Sequence, residues 1–106
     1  MLAIYISCKD KQQATDISVQ LLKKKLIACA NIFPSTSVYI WQGKLEMNDE
    51  HIILAKTLDK KFKVIEKEVT ALHTYDCPCI TAWKISHGNA AYQKWVSSMV
   101  SKRINT

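Results

Sequence analysis

Two cysteines separated by a single proline are the feature of this sequence that most clearly suggests chemistry. Cys77 and Cys79 lie in the segment 73–79, which also contains His73 and Asp76. Thiolates bind copper(I) and zinc, and imidazole binds copper or zinc, so these side chains predict a site for a soft metal ion. In an extended segment the two thiols would point to the same side of the chain. If that side is buried, each cysteine would serve only as a small apolar side chain.

The spacing of these thiols differs from that of the common zinc motifs. Zinc ribbons use Cys-x-x-Cys pairs, whereas this motif is Cys-x-Cys and no second pair completes four ligands. Cys8 and Cys29 stand alone at the ends of predicted strands, where packing in the core is the more frequent role of cysteine. His51 and His87 are also isolated, and a surface or hydrogen-bonding role suits them better than metal binding.

The sequence lacks the common signatures of catalysis. It has no Gly-x-Ser-x-Gly motif, no glycine-rich phosphate loop and no His-Glu-x-x-His motif. His73 and Cys77 are close enough in sequence to form a nucleophile pair, but no oxyanion donor or orienting group can be assigned to them. We therefore expect a protein that is not an enzyme.

Length and composition predict one globular domain over residues 1–106. Of these 106 residues, 48% are hydrophobic and 23% are charged, which is ordinary for a chain with a single core. No apolar run approaches the roughly 20 residues of a membrane-spanning helix. The N-terminus lacks the basic region and cleavage site of a signal peptide. We expect a soluble cytoplasmic protein without membrane contact, whose cysteines are thiols or metal ligands rather than disulfides.

The excess of basic over acidic residues gives little support to nucleic-acid binding. The net charge is +6, but Arg103 is the one arginine among 15 basic residues. Arginine is the side chain suited to bidentate phosphate and guanine contacts, so the lysine excess indicates solvated helix faces. The strand predicted over 51–58 also has no aromatic residue on which RNA bases could stack.

Apolar spacing predicts four strands and three helices. In chain order they are strand 2–7, helix 11–26, strand 28–41, strand 51–58, helix 60–73, strand 77–86 and a helix from 90 to about 102. Asp10, Asp59 and Asn89 are the predicted N-caps of the helices. Residues 42–50 are mostly polar and predict a turn region, and Pro34 indicates a bulge or an edge position in its strand.

This order predicts an α+β ferredoxin-like fold. Two β-α-β halves joined by a hairpin (βαββαβ) give a four-stranded antiparallel sheet with two helices on one face, plus a C-terminal helix. The segments 38–41 and 52–55 carry large apolar residues on both faces of their strands. Two helices cover only one face, so the other face needs the third helix or a partner subunit. We expect an oligomer, with coverage by the third helix alone as the alternative.

Five short blocks of the sequence occur in the order and at the separations of a known family. They are Ala-Cys-Ala-Asn-Ile at 28–32, Ser-Val-Tyr-Ile-Trp-Gln-Gly-Lys at 37–44, Ala-Lys-Thr at 55–57, His-Thr-Tyr-Asp-Cys-Pro at 73–78 and Gly-Asn-x-x-Tyr-x-x-Trp at 88–95. Together they resemble the signature blocks of the CutA divalent-cation-tolerance proteins. The resemblance covers nearly the whole chain.

The resemblance implies a ferredoxin-like homotrimer in which the hairpin of strands two and three extends into neighbouring subunits. It also implies a role in tolerance of copper and other divalent cations, with copper binding and without catalysis. The family resembles the trimeric nitrogen-regulatory signal transducers. That likeness implies an alternative, in which a trimeric signalling protein binds a small ligand or a protein partner in clefts between subunits, without direct metal binding.

Individual residues also match positions of the family pattern. Tyr39 and Trp41 fall on the family's aromatic hairpin and are expected at the subunit interface. Cys29 matches the family's cysteine at the start of strand two, and His73 and Tyr75 match its His-Pro-Tyr-Glu-x-Pro block. Cys29 and His73 therefore join the two thiols of 73–79 as candidate metal ligands.

The sequence departs from the family pattern at three places in or beside that block. Thr74 replaces the usual proline, Asp76 replaces the usual glutamate, and Cys79 stands where an acidic residue is common. Cys79 removes an oxygen ligand and adds sulfur, which favours a softer ion. We therefore expect copper or another metal ion to bind at Cys77 and Cys79, with His73 and Cys29 as further ligands.

Overall fold

The computed structural model describes residues 1–100 and contains the predicted βαββαβ order followed by a C-terminal helix. The elements are β1 (Leu2–Cys8), α1 (Lys11–Lys23), β2 (Cys29–Trp41), β3 (Lys44–Thr57), α2 (Phe62–Leu72), β4 (Ile80–Lys84) and α3 (Ala90–Met99), with a 3₁₀ turn at Asp59–Lys61 before α2. The third helix was predicted to reach about residue 102, but α3 ends at Met99 and Val100 is extended, while residues 101 and 102 lie outside the described range. In this range no helix is long and apolar enough to cross a membrane.

The four strands form one antiparallel sheet in the order β2-β3-β1-β4. This confirms the ferredoxin-like α+β fold. Pro34 lies opposite His51 in an unbroken register, and β2 is an edge strand. The edge position accounts for the proline, because a residue without an N–H is tolerated where no further strand needs that donor.

The hairpin between β2 and β3 is longer than the sequence predicts. Residues 42–50 were expected to form a turn, but β3 begins at Lys44 and only Gln42 and Gly43 connect the strands. Both connecting residues have positive φ, 51° and 78°, as a tight two-residue hairpin requires. The polar residues of 44–50 lie on an exposed strand, and polarity alone does not distinguish an exposed strand from a turn.

Much of this hairpin extends beyond the rest of the sheet. The pairing of β1 with β3 ends where Cys8 meets His51. Residues 35–50 therefore form a two-stranded ribbon, here called the ribbon, and within residues 1–100 no further strand pairs with it. An isolated two-stranded hairpin is marginally stable in water, so the ribbon needs support from outside its own two strands.

The main core lies between the sheet and the helices α1 and α2. Alternate β1 residues such as Ile4 and Ile6 point to this side and are fully buried against Leu21 of α1 and Val69 of α2. This confirms that two helices cover one face. The helix α3 packs separately, with Val96 against Ala28 and Val100.

Of the three residues predicted to be N-caps, Asp10 makes the capping hydrogen bond and the other two do not. Asp10 caps α1, since its Oδ1 accepts from the Gln13 N–H at 2.8 Å. Asn89 occupies the N-cap position of α3 but makes no side-chain capping hydrogen bond. Asp59 is not a helix cap: it lies in the 3₁₀ turn, and its carboxylate is 3.7 Å from the Met1 amino group and 3.6 Å from Lys84 Nζ.

Replacing Asp10 by alanine removes this cap and is expected to lower the free energy of unfolding by about 1 kcal/mol. The Gln13 N–H, one of the helix's unpaired donors, would lose its partner. Asp16→Ala is the matched control, because Asp16 lies on the same helix but accepts an exposed side-chain hydrogen bond from Gln12 and caps no backbone N–H in the described residues. In urea denaturation, the free energy of unfolding of the control should fall by less than about 0.5 kcal/mol. Equal losses in the two variants would contradict the capping role.

Candidate functional groove

The predicted site segment lies in a groove on the face of the sheet opposite α1 and α2, beside the base of the ribbon. The groove has a volume of about 830 Å³, within the range of about 300–1,000 Å³ typical of small-ligand sites. It is lined by residues of β1, the ribbon and the loop between α2 and β4, among them Tyr5, Ser7, Tyr39, Glu50, Tyr75, Cys77 and Cys79. A second groove of about 740 Å³ runs along α1, but it brings none of the predicted metal ligands together.

Strand alternation explains why these residues meet. Because Ile4 and Ile6 face the helices, Tyr5 and Ser7 face the other side of the sheet. The Ser7 N–H donates to the Cys79 carbonyl at 3.4 Å, which holds the end of the loop against β1. The loop 73–79, here called the α2–β4 loop, is thereby held at the end of β1 where the ribbon begins.

A buried carboxylate joins the ribbon to the α2–β4 loop. Glu50 is only 8% exposed. Its Oε2 accepts from the Tyr75 hydroxyl at 2.7 Å, and its Oε1 accepts from the Ser37 hydroxyl. Burial and this hydrogen bond to Glu50 raise the pKa of Tyr75 above the usual tyrosine value. Sequence reasoning missed Glu50, because it fell in the predicted turn. The sequence signal that could have identified Glu50 is its position just before the apolar run 52–55.

Tyr75→Phe should lower the free energy of unfolding by about 1–3 kcal/mol, because it leaves one oxygen of a buried carboxylate without this donor. The contribution also has a pH dependence. Because the pKa of Tyr75 is raised in the folded state, the stabilisation from its hydroxyl is fully present below about pH 10, the ordinary tyrosine pKa. This stabilisation falls as the pH rises further. Tyr39→Phe is the control, since the hydrogen bond that the Tyr39 hydroxyl accepts comes from the exposed Asn48 amide and does not involve a buried carboxylate. Denaturation curves that do not separate the two variants would contradict this role of Tyr75.

His73 fixes the shape of the loop. Its Nδ1 accepts from the Tyr75 N–H at 3.1 Å, so Nε2 carries the proton and donates to the Ser7 carbonyl at 2.7 Å. The imidazole also lies against the Tyr75 ring, with 4.6 Å between ring centroids. Both ring nitrogens are therefore engaged in the structure, and binding a metal ion through His73 would require one of these bonds to break.

The two cysteines of the loop line the groove, and the other candidate ligand cysteine, Cys29, lies elsewhere. Cys77 is exposed and Cys79 is half-buried, and both line the groove. Cys29 lies at the level of Ala3, four residues of β1 away from Ser7, which corresponds to about 13 Å along the sheet. Its Sγ is 3.1 Å from the Tyr92 hydroxyl.

The structure thus brings together two of the four predicted metal ligands, Cys77 and Cys79. Across residues 1–100 no three His, Cys, Asp or Glu side chains are grouped so that they could hold a metal ion. Cys8 is fully buried, and burial raises the pKa of its thiol to about 12, so it is a core residue. Metal binding by the two loop thiols stays a prediction.

The predicted interface aromatics lie on an exposed part of the molecule. Tyr39 and Trp41 are on the ribbon, and Trp41 is 50% exposed. The opposite face of the ribbon carries four apolar side chains between 58% and 72% exposed, namely Val38, Ile40, Leu45 and Met47. On α3, Trp95 and Met99 are also exposed, by 42% and 45%. Monomeric proteins rarely leave so many large apolar side chains in water.

Comparison with known proteins gives one family over nearly the full described length. Residues 2–99 match the family described as CutA1 divalent ion tolerance protein. The divalent-cation tolerance protein CutA of Archaeoglobus fulgidus is 40% identical over 92% of this chain and 95% of its own length. A protein CutA homolog of Xenopus laevis is 36% identical over 92% of this chain, which spans 66% of that protein.

Solved structures show the same similarity. The structure of the periplasmic divalent cation tolerance protein CutA from Archaeoglobus fulgidus has a TM-score of 0.93, with 39% sequence identity over 95% of this chain and 100% of that chain. CutA1 from Pyrococcus horikoshii has a TM-score of 0.92, with 30% identity over 96% of this chain and all of the other.

Proposed function

We propose that this chain, which belongs to the CutA1 divalent ion tolerance protein family, acts without catalysis in divalent-cation tolerance by binding copper or a similar metal ion as a homotrimer. The site of binding in this proposal is the thiol pair Cys77 and Cys79. The proposal includes a cytoplasmic location, where these cysteines stay reduced.

The accessibility of the thiol pair is the observation that carries the metal part of the proposal. A Cys-x-Cys pair facing the core would be two small apolar side chains, but Cys77 is exposed and Cys79 lines the same groove. Sulfur ligands select soft ions such as copper(I). Two thiolates supply a two-coordinate site, for which neither His73 nor Cys29 has to move.

The ribbon supports the trimeric part of the proposal. It extends beyond the sheet as two strands and exposes Val38, Ile40, Leu45 and Met47 on one face and Trp41 on the other. A neighbouring subunit would cover both faces and stabilise a hairpin that is marginal by itself. We therefore place Tyr39 and Trp41 at the interface between subunits.

A second candidate function uses the same groove for a different ligand. The groove also contains the Glu50 carboxylate with its hydroxyl donors Tyr75 and Ser37, and Lys9 stands at its side. These polar groups suit a small ligand or a segment of a partner protein. In this alternative the trimer is a signalling protein, and metal ions do not bind to it directly.

Equilibrium dialysis of the reduced protein distinguishes the two functions. The dialysis uses a phosphine reductant and low micromolar free copper(I) or zinc(II). Metal binding predicts saturable copper(I) uptake at a fixed ratio to protein chains. If neither ion binds under these conditions, direct metal binding is wrong and the groove-ligand function takes its place.

A further inference from the structure

The thiol pair in the groove has the close spacing and the accessibility that a redox pair requires. We propose that Cys77 and Cys79 form a reversible dithiol–disulfide pair that exchanges with low-molecular-weight disulfides of the glutathione class. The inference extends the proposed function, on which its regulatory consequence rests. Closing the disulfide removes the two sulfur ligands, so the metal site exists only in the reduced protein.

The separation of the two cysteines by a single residue permits a disulfide between them. Two residues of extended chain span about 6.6 Å between Cα atoms, and disulfides occur up to about 6.8 Å. Pro78 between them has no N–H and a restricted φ, which limits the conformations that the pair can adopt.

The surroundings give the two sulfurs different roles. Cys77 is exposed and open to an incoming disulfide, whereas Cys79 is half-buried and its carbonyl is bonded to the Ser7 N–H. Cys77 is therefore the attacking thiol and Cys79 the resolving thiol. Cys8 is fully buried and Cys29 contacts Tyr92 at the far end of the sheet, so neither competes for this pairing.

The exchange proceeds in two balanced steps. The Cys77 thiolate attacks one sulfur of the small disulfide, forming a mixed disulfide and releasing the first thiolate. The Cys79 thiolate then attacks Cys77 Sγ, forming the Cys77–Cys79 disulfide and releasing the second thiolate. The protein loses two electrons and two protons, and the small disulfide gains them as two thiols.

The test treats the full-length reduced protein with oxidised glutathione in the absence of metal, followed by acid quenching, alkylation and tryptic mass spectrometry. Trypsin releases residues 68–84 as one peptide, in which Cys77 and Cys79 are the only cysteines. We expect this peptide to be lighter than the dithiol form by two hydrogens and to escape alkylation. Dithiothreitol should restore the dithiol, and Cys8 should stay reduced throughout.

Two variants test the assigned roles. Cys79→Ser should stop at a stable glutathione adduct on Cys77, while Cys29→Ser, the matched control, should close the disulfide as the wild type does. A wild-type peptide that remains a dithiol, retains glutathione or links two chains would overturn the proposal. Copper uptake by the reduced protein is measured separately. A protein that forms the disulfide but binds no metal refutes the proposed function alone, and the reverse result refutes this inference alone.

Discussion

Trp41→Ala is expected to shift the assembled protein toward smaller species at low micromolar concentration. Trp41 is half-exposed on the ribbon, so about half of its surface remains for contact with a neighbouring subunit. Large aromatic side chains at interface centres often contribute about 2 kcal/mol or more each to association, which is about thirtyfold in the dissociation constant. Sedimentation velocity over a dilution series measures this shift.

A control variant separates assembly from folding. Leu22 on α1 is 39% exposed and lies away from the ribbon, so Leu22→Ala should leave the oligomeric state unchanged. The Trp41→Ala chain should keep the far-ultraviolet circular dichroism of the wild type, because the main core does not include Trp41. An unchanged oligomer in the Trp41→Ala variant at the same concentration would show that this side chain is not at the interface.

The double variant Cys77→Ser/Cys79→Ser should lower copper(I) affinity by at least about a hundredfold. Loss of a residue that merely hydrogen-bonds to a metal ligand already lowers metal affinity by about 10–100-fold, and this variant removes the ligands themselves. Serine keeps the approximate size of each side chain but removes the soft ligand atom. Neither cysteine lies in the main core, so the fold should be retained. Competition with a chromophoric copper(I) chelator measures the change.

Cys29→Ser is the matched control for this experiment as well. Cys29 was a predicted metal ligand, but it lies at the other end of the sheet from the groove, beside Tyr92. If the thiol pair is the site, the Cys29→Ser protein should bind copper(I) as the wild type does. If the double variant keeps wild-type affinity, the metal site is not at Cys77 and Cys79.

The fold could be predicted because local and long-range signals agree in this sequence. The Asp10 cap, the buried stripes of α1 and α2 and the order of strands all point to one topology. The hairpin could not be predicted in full. Its length depends on pairing between β2 and β3, and the polar residues 44–50 resemble a turn when read without their partners.

The candidate site could be predicted only in part for a similar reason. The sequence places Cys77 and Cys79 together, because only Pro78 separates them. It cannot show that Glu50 lies beside Tyr75, because that contact joins segments 25 residues apart. Likewise, the distance of Cys29 from the loop follows from sheet register, and the hydrogen bonds of His73 follow from the position of Ser7.

Native mass spectrometry of the reduced protein, with and without copper(I) and zinc(II), tests the central proposal most directly. It reports the oligomeric state and the number of bound ions in one spectrum. We predict a trimer that takes up a fixed number of copper ions per chain. A trimer that stays free of ions would contradict direct metal binding, and a monomer would contradict the interface assigned to the ribbon.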